Sequence, residues 1–135
     1  MNAIEVVRKD FNSRNRHDAD AIVAAFTEGG VYITPAVPEP LSGAAIGDFA
    51  KSVWTINPDF SFDLISIGDT GGGWSRFSGW RTTRIPAHPL TVVPPGRKVT
   101  FPGASFVQLE GHKVRSEQTY FDRLGEHKQL GFIKD

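Results

Sequence analysis

The chain has 135 residues, a length that fits one ordinary domain with a hydrophobic core of its own. Fifteen basic residues balance fifteen acidic ones and lie scattered along the chain, which argues against nucleic acid as a partner. The absence of cysteine excludes disulfides and thiolate chemistry, and no apolar run reaches the roughly 20 residues that span a bilayer.

The amino terminus predicts an amphipathic helix near Ala3 to Ser13. Ile4, Val7 and Phe11 recur there at helical spacing, with charged residues between them. The same charges are unlike a secretory signal, which begins with basic residues and continues as an apolar run. The sequence therefore predicts a cytoplasmic location.

A second, short helix is predicted after Asp18, which is placed to cap it. Its apolar face continues to Phe26, and Gly29-Gly30 is a typical helix stop. Val31 to Thr34 then predicts a short edge strand, because the prolines that follow cannot continue a ladder.

A third helix and a hairpin are predicted next. Helical spacing returns from Ile46 to Val53 and ends at Asn57-Pro58. Strict alternation from Phe60 to Leu64 begins the first long strand, and the glycine-rich segment from Gly68 to Gly73 turns into a second strand, Trp74 to Arg84.

The last part of the chain predicts a long connection and a second hairpin. Four prolines lie between Ile85 and Lys98, so this segment is predicted to be a loop or lid. Two strands, Val99 to Leu109 and Val114 to Asp122, follow across the Glu110-Gly111 turn.

Helices first and long strands second indicate an α+β fold. A curved antiparallel sheet closed by three N-terminal helices would form a cone with an internal pocket. Gly79 and Gly103 lie inside strand patterns, where glycine often marks a bulge or bend. The sequence thus permits the curvature that a cone needs.

Four strings, in order, resemble the SnoaL-like polyketide cyclase group of the nuclear transport factor 2-like superfamily. They are Asn15 to Ala21, Asn57 to Phe60, Pro94 to Val99, and Tyr120-Phe121-Asp122 followed by Gln129 to Gly131. The resemblance covers nearly the whole chain, so residues 1–135 are predicted to form a single domain of this cone fold. It implies ring closure by intramolecular aldol condensation, with no metal or organic cofactor and with an aspartate on the last strand as acid/base.

The resemblance places that aspartate at Asp122. Alternation puts Gln118 and Tyr120 on the same face, where all three would line a pocket. A carboxylate among aromatic side chains loses solvation, which raises its pKa toward that of a general base. The alternative is that Asp122 caps the segment that follows or pairs with an arginine such as Arg123.

Other side chains are candidates for ligand contact. Tyr32 or Tyr120 would donate a hydrogen bond to a developing enolate oxygen, and Trp54 and Trp80 would supply an apolar wall. Arg76 is a further polar candidate. Each aromatic residue has an alternative place in the core or in a dimer face.

The four histidines, His17, His88, His112 and His127, are too scattered for a metal motif, so no metal site is predicted. His88 lies in the proline-rich loop, from which it would reach a pocket or remain solvated. The glycine run from Gly68 to Gly73 opens a strand and lacks the lysine of a phosphate loop, which disfavours nucleotide binding.

The leading hypothesis is a cofactor-independent enzyme that abstracts a proton from a small, largely apolar carbonyl compound. A non-catalytic module that binds a small ligand or serves assembly is the first alternative. Epoxide hydrolysis is the second; it would use Arg76 or Arg81 with Asp122, although the sequence shows no second strand-borne aspartate. A homodimer is expected, because this family leaves an apolar outer sheet face for a twofold partner.

Overall fold

The structure is a computed structural model that describes residues 2–84 and 96–133. In this part of the chain the helices are Ala3–Asn15 (α1), Ala19–Ala24 (α2), Ala44–Ile56 (α3) and Arg123–Gln129 (α4). The strands are Phe26–Ile33 (β1), Leu41–Ser42 (β2), Ser61–Gly71 (β3), Trp74–Arg84 (β4), Lys98–Glu110 (β5) and Lys113–Phe121 (β6). Most of the predicted lid, with His88, lies outside the described residues.

Helices α1, α2 and α3 lie where the sequence predicts helices, although α1 ends at Asn15 instead of Ser13 and α2 ends earlier than expected. Asn2 and Glu5 form a capping box at the start of α1, and Asp18 accepts a hydrogen bond from the amide of Ala21 at the start of α2. Helix α3 ends at Asn57, directly before Pro58. Within residues 2–84 and 96–133, no helix is both long enough and apolar enough to cross a bilayer.

The strand predicted from Val31 is confirmed as the end of β1, but the other predictions for residues 26–34 are wrong. Helix α2 ends at Ala24, and Phe26 begins strand β1 instead of continuing the helix. Gly29 and Gly30 lie inside this strand; a Cβ on Gly30 would meet the carbonyl oxygen of Val114 at 2.8 Å, so glycine permits close approach to β6. Strand β1 is not an edge strand, because it lies between β2 and β6.

One six-stranded sheet has the order β2-β1-β6-β5-β4-β3. Its pairs are antiparallel except β1 with β6, which is parallel and was not predicted. Register shifts between Leu64 and Ser66 and between Gln108 and Leu109 mark irregularities where the sheet curves. Gly79 pairs with Leu64 at the first of these, as a bend glycine would. The α+β fold with a curved sheet is therefore confirmed.

The core fills the space between the N-terminal helices and the concave face of the sheet. Val7 and Phe11 of α1 pack with Ile46 of α3 and with Phe77 and Val107 of the sheet. A smaller cluster of Phe60, Val99 and Phe101 lies beside it. A cavity lies along these two clusters, so its walls are also part of the core.

Candidate functional site

A cavity of about 270 Å³ lies between the N-terminal helices and the concave face of the sheet. Besides Tyr32, the aromatic side chains that line it are Phe49, Trp54, Phe60, Phe62, Phe101 and Phe121. Polar groups enter this apolar wall at a few places: Arg14, Tyr32, Arg81, Thr119 and Glu126. An apolar pocket with a few convergent polar groups is the usual form of a small-molecule site.

A buried ionic network lies behind one wall of the cavity. Arg14 Nη2 contacts Asp10 Oδ2 at 3.3 Å and Glu117 Oε1 at 3.0 Å. Thr119 donates to Glu117 Oε2 at 3.3 Å, and the hydroxyls of Thr119 and Ser105 lie 2.8 Å apart. Arg14 and Thr119 also line the cavity, so this network fixes two of its polar groups.

The network changes the proton affinities of its members. Burial, reinforced by the charge and hydrogen bonding of Asp10 and opposed by Arg14, raises the pKa of Glu117 to about 7. Burial acts to lower the pKa of Arg14, but the charges of Asp10 and Glu117 outweigh it and raise that pKa. Arg14 is therefore a permanent cation, whereas Glu117 gains and loses a proton near neutral pH.

Arg81 is a second buried cation in the cavity, and its surroundings are different. It is 6% exposed, and its guanidinium lies over the rings of Phe62 and Phe121, at 5.2 and 5.7 Å from their centroids. Gly103 gives it space, because a Cβ there would lie 1.9 Å from Arg81 Nη1. Burial and the like charge of Arg14 both lower the pKa of Arg81.

Glu126 is the carboxylic acid that lines the cavity, and helix α4 carries it. Burial raises its pKa, against the opposing charges of Arg123 and Arg81. Gln129 ties α4 to strand β5 by two hydrogen bonds to the backbone of Thr100. This helix was not predicted from the sequence, although a capping aspartate and basic residues in the last turn are typical helix signals.

Asp122 is placed differently from the leading expectation. It follows the last residue of β6, its side chain is exposed, and Oδ1 accepts a hydrogen bond from the amide of Gly125 at 2.8 Å. The structure thus shows the alternative, in which Asp122 caps the segment that follows; its expected position on the strand, facing a pocket, is wrong. Whether Asp122 takes part in catalysis stays a prediction.

Of the other predicted ligand contacts, the structure brings Tyr32 and Trp54 to the cavity. The other four predicted contacts lie on the outer face of the sheet, because they alternate along their strands with residues that face the cavity. They are Tyr120, Gln118, Trp80 and Arg76. Tyr120 is 57% exposed and Trp80 is 42% exposed. The expected common face of Gln118 and Tyr120 exists, but it is the outer one, because β6 turns Glu117, Thr119 and Phe121 inward.

Sequence reasoning missed several polar groups of the site: Arg14, Glu117, Arg81 as a ligand contact, and Glu126. Arg14 lies one turn after Asp10, on the helix face that Val7 and Phe11 make apolar. Two opposite charges on such a face indicate a buried ion pair, and this signal could have been read from the sequence. Glu117 shares strand parity with Phe121. The sequence shows that Glu117 and Phe121 share a face of β6, but it does not show that this face is the buried one.

Comparison with known proteins identifies the domain. A model of the SnoaL-like domain family matches residues 7–117. A sequence comparison with curated proteins finds no match.

Solved structures agree on the fold. IdmH of Streptomyces antibioticus, a proposed polyketide cyclase, is 15% identical with a TM-score of 0.83, over 94% of this chain and 96% of that one. AclR of Streptomyces galilaeus, a proposed hydroxylase, is 16% identical with a TM-score of 0.81, over 97% and 85%. A hypothetical protein of Catenulispora acidiphila with a ketosteroid isomerase-like fold is 16% identical with a TM-score of 0.81, over 94% and 92%. Identities this low establish the cone fold alone.

Proposed function

Because the chain belongs to the SnoaL-like domain family, we propose that it is a cofactor-independent enzyme that moves a proton on a small, largely apolar carbonyl compound in its cavity. The observation that carries this proposal is Glu126, a carboxylic acid in an otherwise mainly apolar wall. Burial raises its pKa toward the range in which a carboxylate accepts a proton efficiently at neutral pH. Glu126 thus replaces Asp122 as the candidate general base.

Proton abstraction next to a carbonyl also needs donors for the enolate oxygen that develops. Arg14 and Tyr32 both line the cavity, and the guanidinium of Arg14 lies 5.1 Å from the centroid of the Tyr32 ring. Asp10 and Glu117 hold Arg14 in place and keep it charged. A preorganised cation of this kind stabilises the enolate that leads to cyclisation or isomerisation.

The test is the exchange of the protons next to the carbonyl of 2-tetralone in D₂O, followed by NMR. Wild type accelerates exchange over buffer, and Glu126→Gln slows the catalysed rate by about 100-fold or more. The matched variant Asp122→Asn keeps exchange near the wild-type rate, since asparagine caps a helix as well as aspartate does. Asp122→Ala weakens the cap of α4 and lowers the rate in part, because Glu126 is then held less firmly.

Two outcomes would overturn the role of Glu126. One is full exchange in Glu126→Gln. The other is loss of exchange in Asp122→Asn with an unchanged melting temperature, which would restore the aspartate that the family resemblance suggests. If the wild type binds 2-tetralone without exchanging its protons, the non-catalytic binding module is favoured instead.

Epoxide hydrolysis is a second candidate, favoured by the buried grouping of Asp10, Arg14 and Glu117. It contains the two carboxylates and one arginine that such a reaction uses to activate water. These are not the residues expected from the sequence, which were Arg76 or Arg81 with Asp122. Asp10 Oδ1 and Arg14 Nε have no hydrogen-bond partner among residues 2–84 and 96–133. Styrene oxide separates the two candidates: hydrolysis that Glu117→Gln abolishes and Glu126→Gln leaves intact supports this reaction.

We also propose that the protein is a homodimer, paired through the outer face of the sheet. Phe106 and Tyr120 stack edge to face there, with ring centroids 6.3 Å apart, and Trp80 lies on the same face. All three are exposed, which is unusual for neighbouring large apolar side chains on a monomer. Light scattering at high micromolar concentration is expected to give a dimer mass, and Phe106→Glu a monomer mass; a wild-type monomer refutes the proposal.

A further inference from the structure

We infer that the compound bound in the cavity carries an anionic group, a carboxylate or an acidic enol, that pairs with Arg81. This inference rests on the proposed function, since it names the substrate class of the same cavity. It depends on three features of Arg81: its burial, the lack of an opposite charge in contact with it, and the space that Gly103 leaves for its guanidinium.

The burial of Arg81 makes its charge costly. The residue is 6% exposed, and the nearest rings, those of Phe62 and Phe121, give cation–π attraction but no counter-ion. Cation–π contacts offset only part of the cost of burying an unpaired ion. An anion supplied by a ligand would remove most of that cost.

No carboxylate in the described part of the chain forms an ion pair with Arg81, and none of its hydrogen bonds there involves the guanidinium. Arg14 shows the contrast, since two buried carboxylates contact it within 3.3 Å. Both arginines line the same cavity. The protein supplies the counter-ions of Arg14 itself. The counter-ion of Arg81 is left to a bound ligand.

The charged and titratable groups that act on Arg81 are Tyr32, Arg14, Glu117 and Glu126. Arg14 repels it, and Glu117 is held by Arg14 and Thr119. Glu126 lies beyond ion-pair distance of Arg81, so it forms no contact pair with the guanidinium. An anion in the cavity can therefore pair with Arg81 directly.

Gly103 leaves the space that the Arg81 guanidinium occupies. A Cβ on Gly103 would lie 1.9 Å from Nη1 and 2.5 Å from the central carbon of the Arg81 guanidinium. A planar guanidinium is suited to a carboxylate, which it binds through two parallel hydrogen bonds. The aromatic walls and the cavity volume of about 270 Å³ suit the rest of a small aromatic or polycyclic acid.

The experiment compares 2-naphthoate with its neutral counterpart 2-naphthamide by titration calorimetry. The wild type is expected to bind the carboxylate at least about tenfold more tightly, a modest value for a charge-assisted pair. In Arg81→Met the preference disappears because the affinity for naphthoate falls, while the affinity for naphthamide stays within about twofold. Arg76→Met, on the outer face of the same strand, is the matched control and leaves both affinities unchanged.

Equal affinity of the wild type for the two probes overturns the inference, as does a preference for naphthoate that survives in Arg81→Met. If Arg81→Met fails to fold, Arg81→Lys is used: its single ammonium is expected to retain the preference in weaker form, and an undiminished preference counts against the bidentate pair. Glu126→Gln must keep or strengthen the preference, because it removes a nearby carboxyl. Loss of 2-tetralone exchange in that variant tests the proposed function separately.

Discussion

The concave and outer faces of strands β4 to β6 each carry some side chains of the kind that is usually found on the other face. The concave face buries Arg81, Glu117 and Thr119, whereas the outer face exposes Phe106 and Tyr120. In most half-buried sheets the alternation places apolar residues inside and polar residues outside. The polar side chains inside support the proposed site beside the core, and the exposed aromatic side chains outside support the proposed dimer contact.

The polar groups inside are tolerated because most of them satisfy one another. A chain of contacts leads from Ser105 through Thr119 to Glu117 and on to Arg14 and Asp10. Buried polar networks of this kind are stable when they are complete and costly when one member is removed. Among residues 2–84 and 96–133 the outer face has no comparable network, so substitutions there are expected to have small effects on folding.

The largest expected effect comes from removing the cation of this network. Arg14→Met leaves Asp10 and Glu117 buried without their partner, and we expect the free energy of unfolding to fall by about 3–5 kcal/mol. The outer-face control Arg76→Met loses one exposed hydrogen bond to Ser66 and is expected to stay within about 0.5 kcal/mol of wild type. Urea denaturation measures both; similar losses would remove the distinction between the faces.

A smaller effect is expected from pH, through Glu117. Its pKa is about 7 in the folded protein against 4.5 ordinarily, so between these values the folded state holds a proton that the unfolded state has lost. Stability therefore falls as pH rises from 4.5 to 7, by on the order of 3 kcal/mol, and the loss is complete above pH 7.

Glu117→Gln isolates this contribution, because glutamine keeps the shape of the side chain and does not titrate. The difference between the wild-type and variant stability curves is expected to depend on pH between about 4.5 and 7 and to be flat outside that range. Thermal or urea unfolding at a series of pH values measures it. A difference that is constant with pH would contradict the raised pKa.

The smallest effect tests the space beside Arg81. Gly103→Ala places a methyl group against the Arg81 guanidinium and the Tyr120 carbonyl, and we expect a loss of about 1–3 kcal/mol. In the Arg81→Met background the loss should shrink, because one of the two crowded partners is gone. Gly68→Ala is the control on the outer side, since its Cβ would meet Arg76 at an ordinary 3.5 Å; an equal loss there would refute the steric argument.

The sequence by itself determined the α+β class and the order of the three N-terminal helices and the long strands, but not the short strand β2 or helix α4. Capping residues and periodicity are local signals, so Asp18 correctly marked the start of α2 and Pro58 the end of α3. The alternation along β6 also placed Gln118 and Tyr120 together on one face, which the structure confirms.

Only the tertiary structure decided which face of each strand is buried, how β1 pairs and what surrounds each charge. Periodicity relates the residues of one strand to each other but does not say which side meets the helices, so the expected pocket residues on β4 and β6 lie on the outer face. The parallel pairing of β1 with β6 joins segments about 85 residues apart in the chain, and local preferences do not specify such contacts. Arg14 and Arg81 are likewise the same residue type in the sequence, and only the fold gives carboxylate partners to one and aromatic rings to the other.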